Sequence, residues 1–299
     1  MKVYTDLYNR TKNYSLTEDI IFTLKKLYGI EIVTEFDESV EIYWGDKFRI
    51  EHFNHMPNIK WIHLSKTGVD KFVFPENVLV TNTPSSSDGV DEYALSIILF
   101  FLRNINELQS MTSSDSLNRQ TFDKFISTTT MFRDTYCLIV GNGRVGSGLN
   151  IMLKSLGFKT SIVSKHEFPS LNKIVKSFDF VVNCLPLNNK TNMCFNKIVF
   201  QNMKSTSIFI NIGRGETVNE SDLLNALETN SIRAAFLDVV CSEPISTDSH
   251  LLKLKNLFIS PHIANATKSM LQIQIDEFVT NFKKYKKNKP LNNIVKKND

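Results

Sequence analysis

Cysteine is scarce. Cys137, Cys184, Cys194 and Cys241 are the four in 299 residues, and no two are spaced C-x-x-C. Two of them lie in apolar, strand-like runs, so buried free thiols in a reducing compartment are expected rather than a disulfide framework. Long apolar runs are missing too. The longest, Ile97 to Leu102 with Ala94-Leu95 just before it, falls far short of the roughly 20 residues that a bilayer span requires. Met1-Lys-Val-Tyr-Thr-Asp6 contains no signal-type apolar region, and a soluble cytoplasmic protein without a membrane partner is expected. Neither sign of charge dominates. The net charge is +4 and the basic residues are mostly scattered, which suits a small anionic ligand and requires no nucleic acid. His52-Phe-Asn-His55 has an H-x-x-H spacing but no carboxylate or cysteine clearly placed to join it. It reads as a surface turn, and no metal is expected.

What is present is ordinary globular material. With 42% hydrophobic and 22% charged residues the chain can bury a sizeable core, and its length suggests two domains. One stretch organises it. Tyr136-Cys-Leu-Ile-Val-Gly-Asn-Gly-Arg-Val-Gly-Ser-Gly-Leu149 is a short apolar strand followed by Gly141, Gly143 and Gly146 at the G-x-G-x-x-G spacing. Leu149, Ile151, Met152 and Leu156 then recur at helical spacing up to Gly157. Strand, glycine turn and helix start together hold a pyrophosphate. Gly141 allows the turn, Gly143 lets backbone approach phosphate, Gly146 lets helix and strand pack, and first-turn N–H groups face the anion.

On either side of this stretch, strands alternate with short helices. Before it come Lys2 to Asp6, a helix over Thr17 to Leu27 ended by Gly29, Glu31 to Thr34, Glu41 to Trp44, Lys60 to Leu64 and Val78 to Thr81. Val90 to Leu108 reads as one helix, apolar on most faces and therefore buried at a domain junction or subunit interface. Thr112 to Asp134 reads as a polar surface connection anchored by Phe122, Phe125 and Phe132. After the glycine loop come strands at Thr160 to Val163, Phe178 to Leu185, Ser207 to Ile212, Ala234 to Asp238 and Asn256 to Ser260, with Asn219 capping a helix. The expected fold is α/β. A doubly wound parallel sheet at 85–266 binds the dinucleotide and is inserted in a smaller flavodoxin-like α/β domain of 1–84 plus 267–299. The closing lysine run, Phe282 to Lys289, reads as a solvated helix end favoured by the dipole.

Ligands of such sheets sit outside the carboxyl ends of the strands, and the polar candidates fall there. Arg214 follows Asn-Ile-Gly, Glu243 lies just beyond Asp238, His262 lies in Ser-Pro-His-Ile, and Lys66-Thr-Gly68 ends a strand of the first block. A fixed cation, an imidazole and a carboxylate beside a nicotinamide suit ketone reduction. Arg214 can hold a carboxylate or polarise a carbonyl, His262 can protonate the carbonyl oxygen, and Glu243 can orient the imidazole. Each residue also has an ordinary explanation, as a surface ion pair, a packing histidine or a turn.

From Trp61 to His262 the chain resembles the D-isomer-specific 2-hydroxyacid dehydrogenases. The matching pieces are Thr-Gly-Val-Asp (67–70), Asp-Glu-Tyr-Ala-Leu (91–95), Gly-Asn-Gly-Arg-Val-Gly (141–146), Cys-Leu-Pro-Leu (184–187) with Thr191, Ile-Asn-Ile-Gly-Arg-Gly (210–215), Leu-Asp-Val (237–239) with Glu243-Pro244, and Ser-Pro-His-Ile-Ala (260–264). The short length and Val-Ser-Lys after the second strand are similar to the glyoxylate/hydroxypyruvate reductase branch. The resemblance implies Arg214, Glu243 and His262 as the catalytic set. It implies a substrate carboxylate on the amides of Lys66, Thr67 and Gly68, domains that close over the substrate, and a homodimer. It further implies cofactor contacts from Gly141, Gly143, Arg144, Val145, Gly146, Leu185, Pro186, Thr191, Ile212, Gly213 and Asp238, and places Trp44 in one wall of the substrate pocket.

Two departures from the family pattern matter. The second strand normally ends in an acidic residue for the adenosine ribose, and here Ser164 and Lys165 stand in its place. A serine and a lysine suit a 2′-phosphate, so NADP(H) is expected over NAD(H), with NAD(H) still possible. Lys66 replaces a small or apolar residue, and either meets a second acidic group on the substrate or points to solvent. The expected reaction is reduction of a small 2-oxo acid to a D-2-hydroxy acid. The alternatives are the same chemistry on a specialised 2-oxo acid, and a dinucleotide-sensing protein without turnover.

Overall fold

The computed structural model describes residues 1–8, 14–108, 119–164 and 167–295. Lys165, and residues 112–118 of the expected surface connection, lie outside them. The chain divides into two compact units, 1–88 with 266–299, and 89–265.

In the first unit the described residues form a wholly parallel sheet. Its strands are β1 (Lys2–Thr5), β2 (Glu31–Val33), β3 (Ile42–Gly45), β4 (Trp61–Leu64) and β5 (Leu79–Asn82), in the order β2-β1-β3-β4-β5. That is the flavodoxin-like winding. Helix α1 (Glu18–Tyr28) starts where the Thr17 hydroxyl accepts the Ile20 N–H and stops at Gly29, which takes φ 70°. Aromatic residues make the core. Trp44, Trp61 and Phe278 are fully buried, and Trp44 stacks on Phe278 with centroids 4.1 Å apart.

Beneath them lies a polar chain that the sequence reading missed. Trp61 Nε1–H donates to the Thr81 hydroxyl at 2.8 Å, which donates to His63 Nδ1 at 2.7 Å. His63 Nε2–H donates to the Thr83 hydroxyl at 3.1 Å, whose own hydrogen goes to the Leu64 carbonyl. Every donor has one acceptor, so the network selects the neutral Nε2–H tautomer. Burial pushes the His63 imidazole down to about 3.

The second unit carries the other parallel sheet. Its strands are β6 (Tyr136–Val140), β7 (Lys159–Val163), β8 (Phe180–Asn183), β9 (Ile208–Asn211), β10 (Ala234–Leu237) and β11 (Leu257–Ile259). Their order is β11-β10-β9-β8-β6-β7. β7 leaves β6 on one side and β8 pairs on the other, so winding reverses at β6. The inner strands β6, β8, β9 and β10 are buried almost throughout, as parallel strands covered on both faces must be, while the edge strands β7 and β11 are less so.

The expected single helix from Val90 to Leu108 is two, α2 (Val90–Leu102) and α3 (Ile105–Leu108). Asn104 breaks it. It takes φ 53°, is fully buried, donates Nδ2 to the Thr128 and Thr129 hydroxyls, and accepts from Arg233 at 2.7 Å. A side-chain amide with three partners outweighs the continuation of one helical turn. α2 buries Val90, Ala94, Ile97, Ile98, Phe101 and Leu102 within its own unit. The thiols are all free; Cys137 is buried, Cys184 and Cys194 are intermediate and Cys241 is exposed, so the expectation of buried thiols fails at Cys241. Cys241 lies in the loop beyond β10 rather than in a strand.

Candidate active site

The candidate residues of the second unit lie on the loops at the carboxyl ends of its strands or in the first helical turn beyond the glycine loop. The glycine loop leaves β6 at the reversal of winding, where an open α/β sheet forms its ligand crevice. Gly141 takes φ 115°. Helix α4 (Arg144–Ser155) starts with Gly143 as its N-cap, at φ −88°. The two following glycines of the fingerprint have opposite surroundings. A Cβ on Gly146 would lie 2.0 Å from the Gly141 carbonyl oxygen, so helix and strand pack backbone to backbone. A Cβ on Gly143 would meet nothing within 4 Å. The open space lies at a helix N-terminus whose first N–H groups have no intrahelical partner, the arrangement that receives a pyrophosphate. These residues fit a dinucleotide.

Close approach continues across the sheet. A Cβ on Gly213, beyond β9, would lie 2.6 Å from the Leu185 carbonyl oxygen beyond β8. A buried amide network shapes both loops. Asn183 Nδ2 donates to Asn211 Oδ1 at 2.8 Å and to the Thr217 hydroxyl at 2.7 Å, while its Oδ1 accepts the Leu185 N–H. Asn211 accepts the Gly213 N–H and donates to the Arg214 carbonyl, which also accepts from the Thr217 hydroxyl at 2.6 Å. The Arg214 backbone is thereby held, and its Nη1 donates to the Gly213 carbonyl at 2.8 Å. Thr191, expected among the cofactor contacts, is only 7% exposed. Its hydroxyl donates to the Pro186 carbonyl and accepts the Asn188 N–H, folding the loop on itself.

Glu243 and His262 meet. His262 Nδ1 lies 2.8 Å from Glu243 Oε2, and Glu243 Oε1 accepts the Val240 N–H. The pair remains accessible, with the two side chains 51% and 38% exposed in that order. With Nδ1 on the carboxylate, Nε2 is the nitrogen left to exchange a proton with a substrate. His262 sits at φ 54°, which few residues with a side chain adopt. Asp238 holds it there. Its backbone carbonyl accepts the His262 N–H at 2.9 Å, and its carboxylate accepts from Ser260 Oγ, Ile263 N and Ala264 N. Asp238, another expected cofactor contact, is 2% exposed and acts here as the clamp of the loop that carries His262.

At the end of β7 the sequence reading needs a correction. It found no acidic residue there. The Ser164 carbonyl accepts the Glu167 and Phe168 N–H groups. The Glu167 carboxylate returns to the strand end, with Oε2 3.0 Å from both the N and the Oγ of Ser164. Ser-x-x-Glu is the sequence signal of such a turn, and it could have been read. Lys165 lies outside the described residues.

In the first unit, Thr67 Oγ1 bonds with the Thr83 and Pro84 carbonyls and with Ser86, which anchors the Lys66–Gly68 turn. The Lys66 ammonium lies 5.2 Å from the centroid of the Phe72 ring. Trp44 does not form a pocket wall. It is 0% exposed and stacked in the apolar core, because β3 is a central strand covered on both faces. His52 and His55 lie against the Phe36 ring, and no metal-holding group of three or more His, Cys, Asp or Glu residues occurs among the described residues.

A parallel sheet with a glycine fingerprint at its reversal point, and an imidazole–carboxylate pair at two further strand ends, defines a dinucleotide-binding α/β protein. Comparison with known proteins makes this specific. Residues 95–264 match the family described as D-isomer specific 2-hydroxyacid dehydrogenase, NAD binding domain, and the chain belongs to that family. It is 32% identical over 233 residues to the human glyoxylate reductase/hydroxypyruvate reductase, covering 70% of this chain and 69% of that protein. A D-isomer specific 2-hydroxyacid dehydrogenase from Xanthobacter autotrophicus, solved with NADPH and MES, superposes with a TM-score of 0.79 at 22% identity, covering 99% and 98% of the two chains. One from Lactobacillus delbrueckii, solved with NAD, superposes at 0.78 with 20% identity over 99% and 100%. Both units thus have the fold of this family.

Proposed function

We propose that this protein reduces small 2-oxo acids of the glyoxylate and hydroxypyruvate type to D-2-hydroxy acids, using a nicotinamide dinucleotide. The contact between His262 and Glu243, on the same sheet as the glycine loop, carries this reading. Gly141 to Gly146 would hold the dinucleotide, with Leu185, Pro186, Ile212 and Gly213 on the neighbouring strand-end loops, and the bound group would supply a hydride. His262 gives its Nε2 proton to the substrate oxygen. Glu243 holds the imidazole in the orientation that points Nε2 outward and stabilises its charged form. Arg214 pairs with the substrate carboxylate or polarises its carbonyl. The amides of Lys66 to Gly68 take the substrate carboxylate, a role supported by the anchored turn there.

NADP(H) is preferred and NAD(H) accepted, a reading supported by the sequence, in which Ser164 and Lys165 stand where the family pattern has an acidic residue. The protein acts in the cytoplasm as a homodimer. Apolar Leu108, Phe122, Ile126 and Met131, about half exposed or more, support a covered surface near α2. Among the described residues no helix is long and apolar enough to cross a membrane. The test is oxidation of NADPH, followed at its near-ultraviolet absorbance, against a panel of 2-oxo acids, with His262→Ala as control. Turnover of glyoxylate or hydroxypyruvate that falls by about 10²–10⁴ in the control supports the reading. Silence across the panel with NADPH still bound would favour a sensing protein.

A further inference from the structure

We infer that Gln274 and Asn82 are positioning residues for the substrate carboxylate, an inference that rests on the reading above in which the amides of Lys66, Thr67 and Gly68 receive that group. Four consecutive carbonyls at the end of β4 are tied to donors of the same unit. The Thr83 hydroxyl donates to the Leu64 carbonyl at 3.0 Å, and Gln274 Nε2 to the Ser65 carbonyl at 2.6 Å. The Thr83 N–H donates to the Lys66 carbonyl at 3.2 Å, and Asn82 Nδ2 to the Thr67 carbonyl at 2.7 Å. The last three bonds fix more than carbonyls. In a trans peptide unit the C=O of one residue and the N–H of the next point in opposite directions. The carbonyls of Ser65, Lys66 and Thr67 share their peptide units with the amides of Lys66, Thr67 and Gly68. Each bond therefore turns one amide away from its donor, and three bonds set the directions of three amides.

The donors are themselves held. Gln274 lies on helix α5 (Met270–Lys286), is 1% exposed, and its Oε1 accepts the Tyr14 hydroxyl at 2.7 Å. A carbonyl oxygen can only accept, so Nε2 is the end of the amide that faces Ser65. Asn82 ends β5, and its own N–H donates to the Asn293 carbonyl at 3.2 Å. Both side chains direct their donors at the turn, and they act on the substrate through it. A turn whose amides are aimed before the anion arrives loses little ordering entropy when it binds. Removing one donor frees one peptide unit to rotate, and the carboxylate then binds more weakly.

The experiment compares the wild type with Gln274→Met, which keeps the side-chain length and removes the donor, and with Asn82→Ala. Ile30→Val, which opens a small cavity in the apolar core of the same unit, is the control for general loosening. It measures kcat and KM for glyoxylate and hydroxypyruvate, and dissociation constants of NADPH and of oxalate from the NADPH complex by fluorescence titration. Oxalate shares the carboxylate and cannot be reduced by hydride under these conditions, so its binding is read without turnover. In Gln274→Met and Asn82→Ala, KM and the oxalate constant should each rise at least fivefold, with kcat within threefold and NADPH binding unaltered. Fivefold corresponds to about 1 kcal/mol, less than the worth of one charge-assisted hydrogen bond. A rise in KM alone marks lost binding of a group held alike in ground and transition states. Ile30→Val should leave all four quantities as in the wild type. A smaller rise overturns the role of the residue changed, and so does an equal rise in Ile30→Val or a parallel loss of NADPH affinity. Should Gln274→Met not fold, Asn82→Ala reads the same turn from its other side. A wild type that binds NADPH but neither binds oxalate nor turns over a 2-oxo acid would overturn the carboxylate reading itself, and this inference with it.

Discussion

Gly143→Ala and Gly146→Ala place the same methyl group three residues apart and should fail in different ways. At Gly143 the new Cβ meets no atom within 4 Å, and φ −88° with ψ −169° suits any L-residue. Stiffening the unfolded chain stabilises by about 0.4–1 kcal/mol, and replacing a glycine N-cap by alanine costs a similar amount. The net change is within about 1 kcal/mol, or roughly 2–4 °C in Tm for a unit of this size. Binding should suffer nonetheless, since the methyl occupies the space in front of the helix N-terminus. Loss of one to two charge-assisted hydrogen bonds, each worth about 1.5 kcal/mol, weakens dinucleotide binding roughly ten- to a hundredfold. At Gly146 the Cβ would stand 2.0 Å from a backbone oxygen that a flexible side chain cannot move away. Helix and strand must separate by over an ångström, at about 1–3 kcal/mol or more, and Tm falls whether or not ligand is present. Thermal unfolding and fluorescence titration of both variants distinguish the cases. A stable Gly143→Ala protein that binds dinucleotide like the wild type would refute the placement of the pyrophosphate, and an unaltered Tm for Gly146→Ala would refute the packing.

Glu243→Gln keeps a hydrogen-bond partner for His262 but removes the charge, so steady-state kinetics should show kcat lowered about 10–100-fold with KM little changed; an unaffected kcat would remove Glu243 from the mechanism. Stability should fall with acidity through His63. Its folded value of about 3 lies below the ordinary 6.5, so from pH 6.5 downward the unfolded chain binds one more proton than the folded one. Unfolding free energy then declines by up to about 1.4 kcal/mol per pH unit relative to His63→Asn, measured by urea titration from pH 7 to 4.5. Asn183→Leu strands the Leu185 N–H and loosens the turn below Arg214, so about 1–3 kcal/mol of stability should be lost together with kcat. Thiol titration of the native protein should show one fast cysteine, Cys241, with Cys137, Cys184 and Cys194 reacting only on unfolding. Burial raises all three of these thiols, with Cys184 and Cys194 pushed up to about 12.

Much of this protein is written in short-range pattern. The apolar run at Cys137 to Val140, the glycine spacing and the helical recurrence after it define strand, turn and helix from neighbours within a few residues, because the steric demands that select glycine there are local. The alternation of such pieces specified two parallel α/β units, and residues that follow buried strands identified Arg214, Glu243 and His262 as strand-end groups. Their distances were not written there. The 2.8 Å contact of His262 with Glu243 depends on Asp238 holding the intervening loop, through bonds that span more than twenty residues. Trp44 looked like a pocket wall in a short strand, and only the placement of β3 at the centre of its sheet buried it. Asn104 broke a helix that reads as apolar on most faces because Thr128, Thr129 and Arg233, remote in sequence, arrive around its amide. Ser164 seemed to leave its strand end without a carboxylate, and the Glu167 carboxylate, three residues on, bonds to its hydroxyl. Spacing determines which residues can form an element. Which atoms meet is decided when the elements pack, since hydrogen bonding and burial depend on distances that one dimension does not contain.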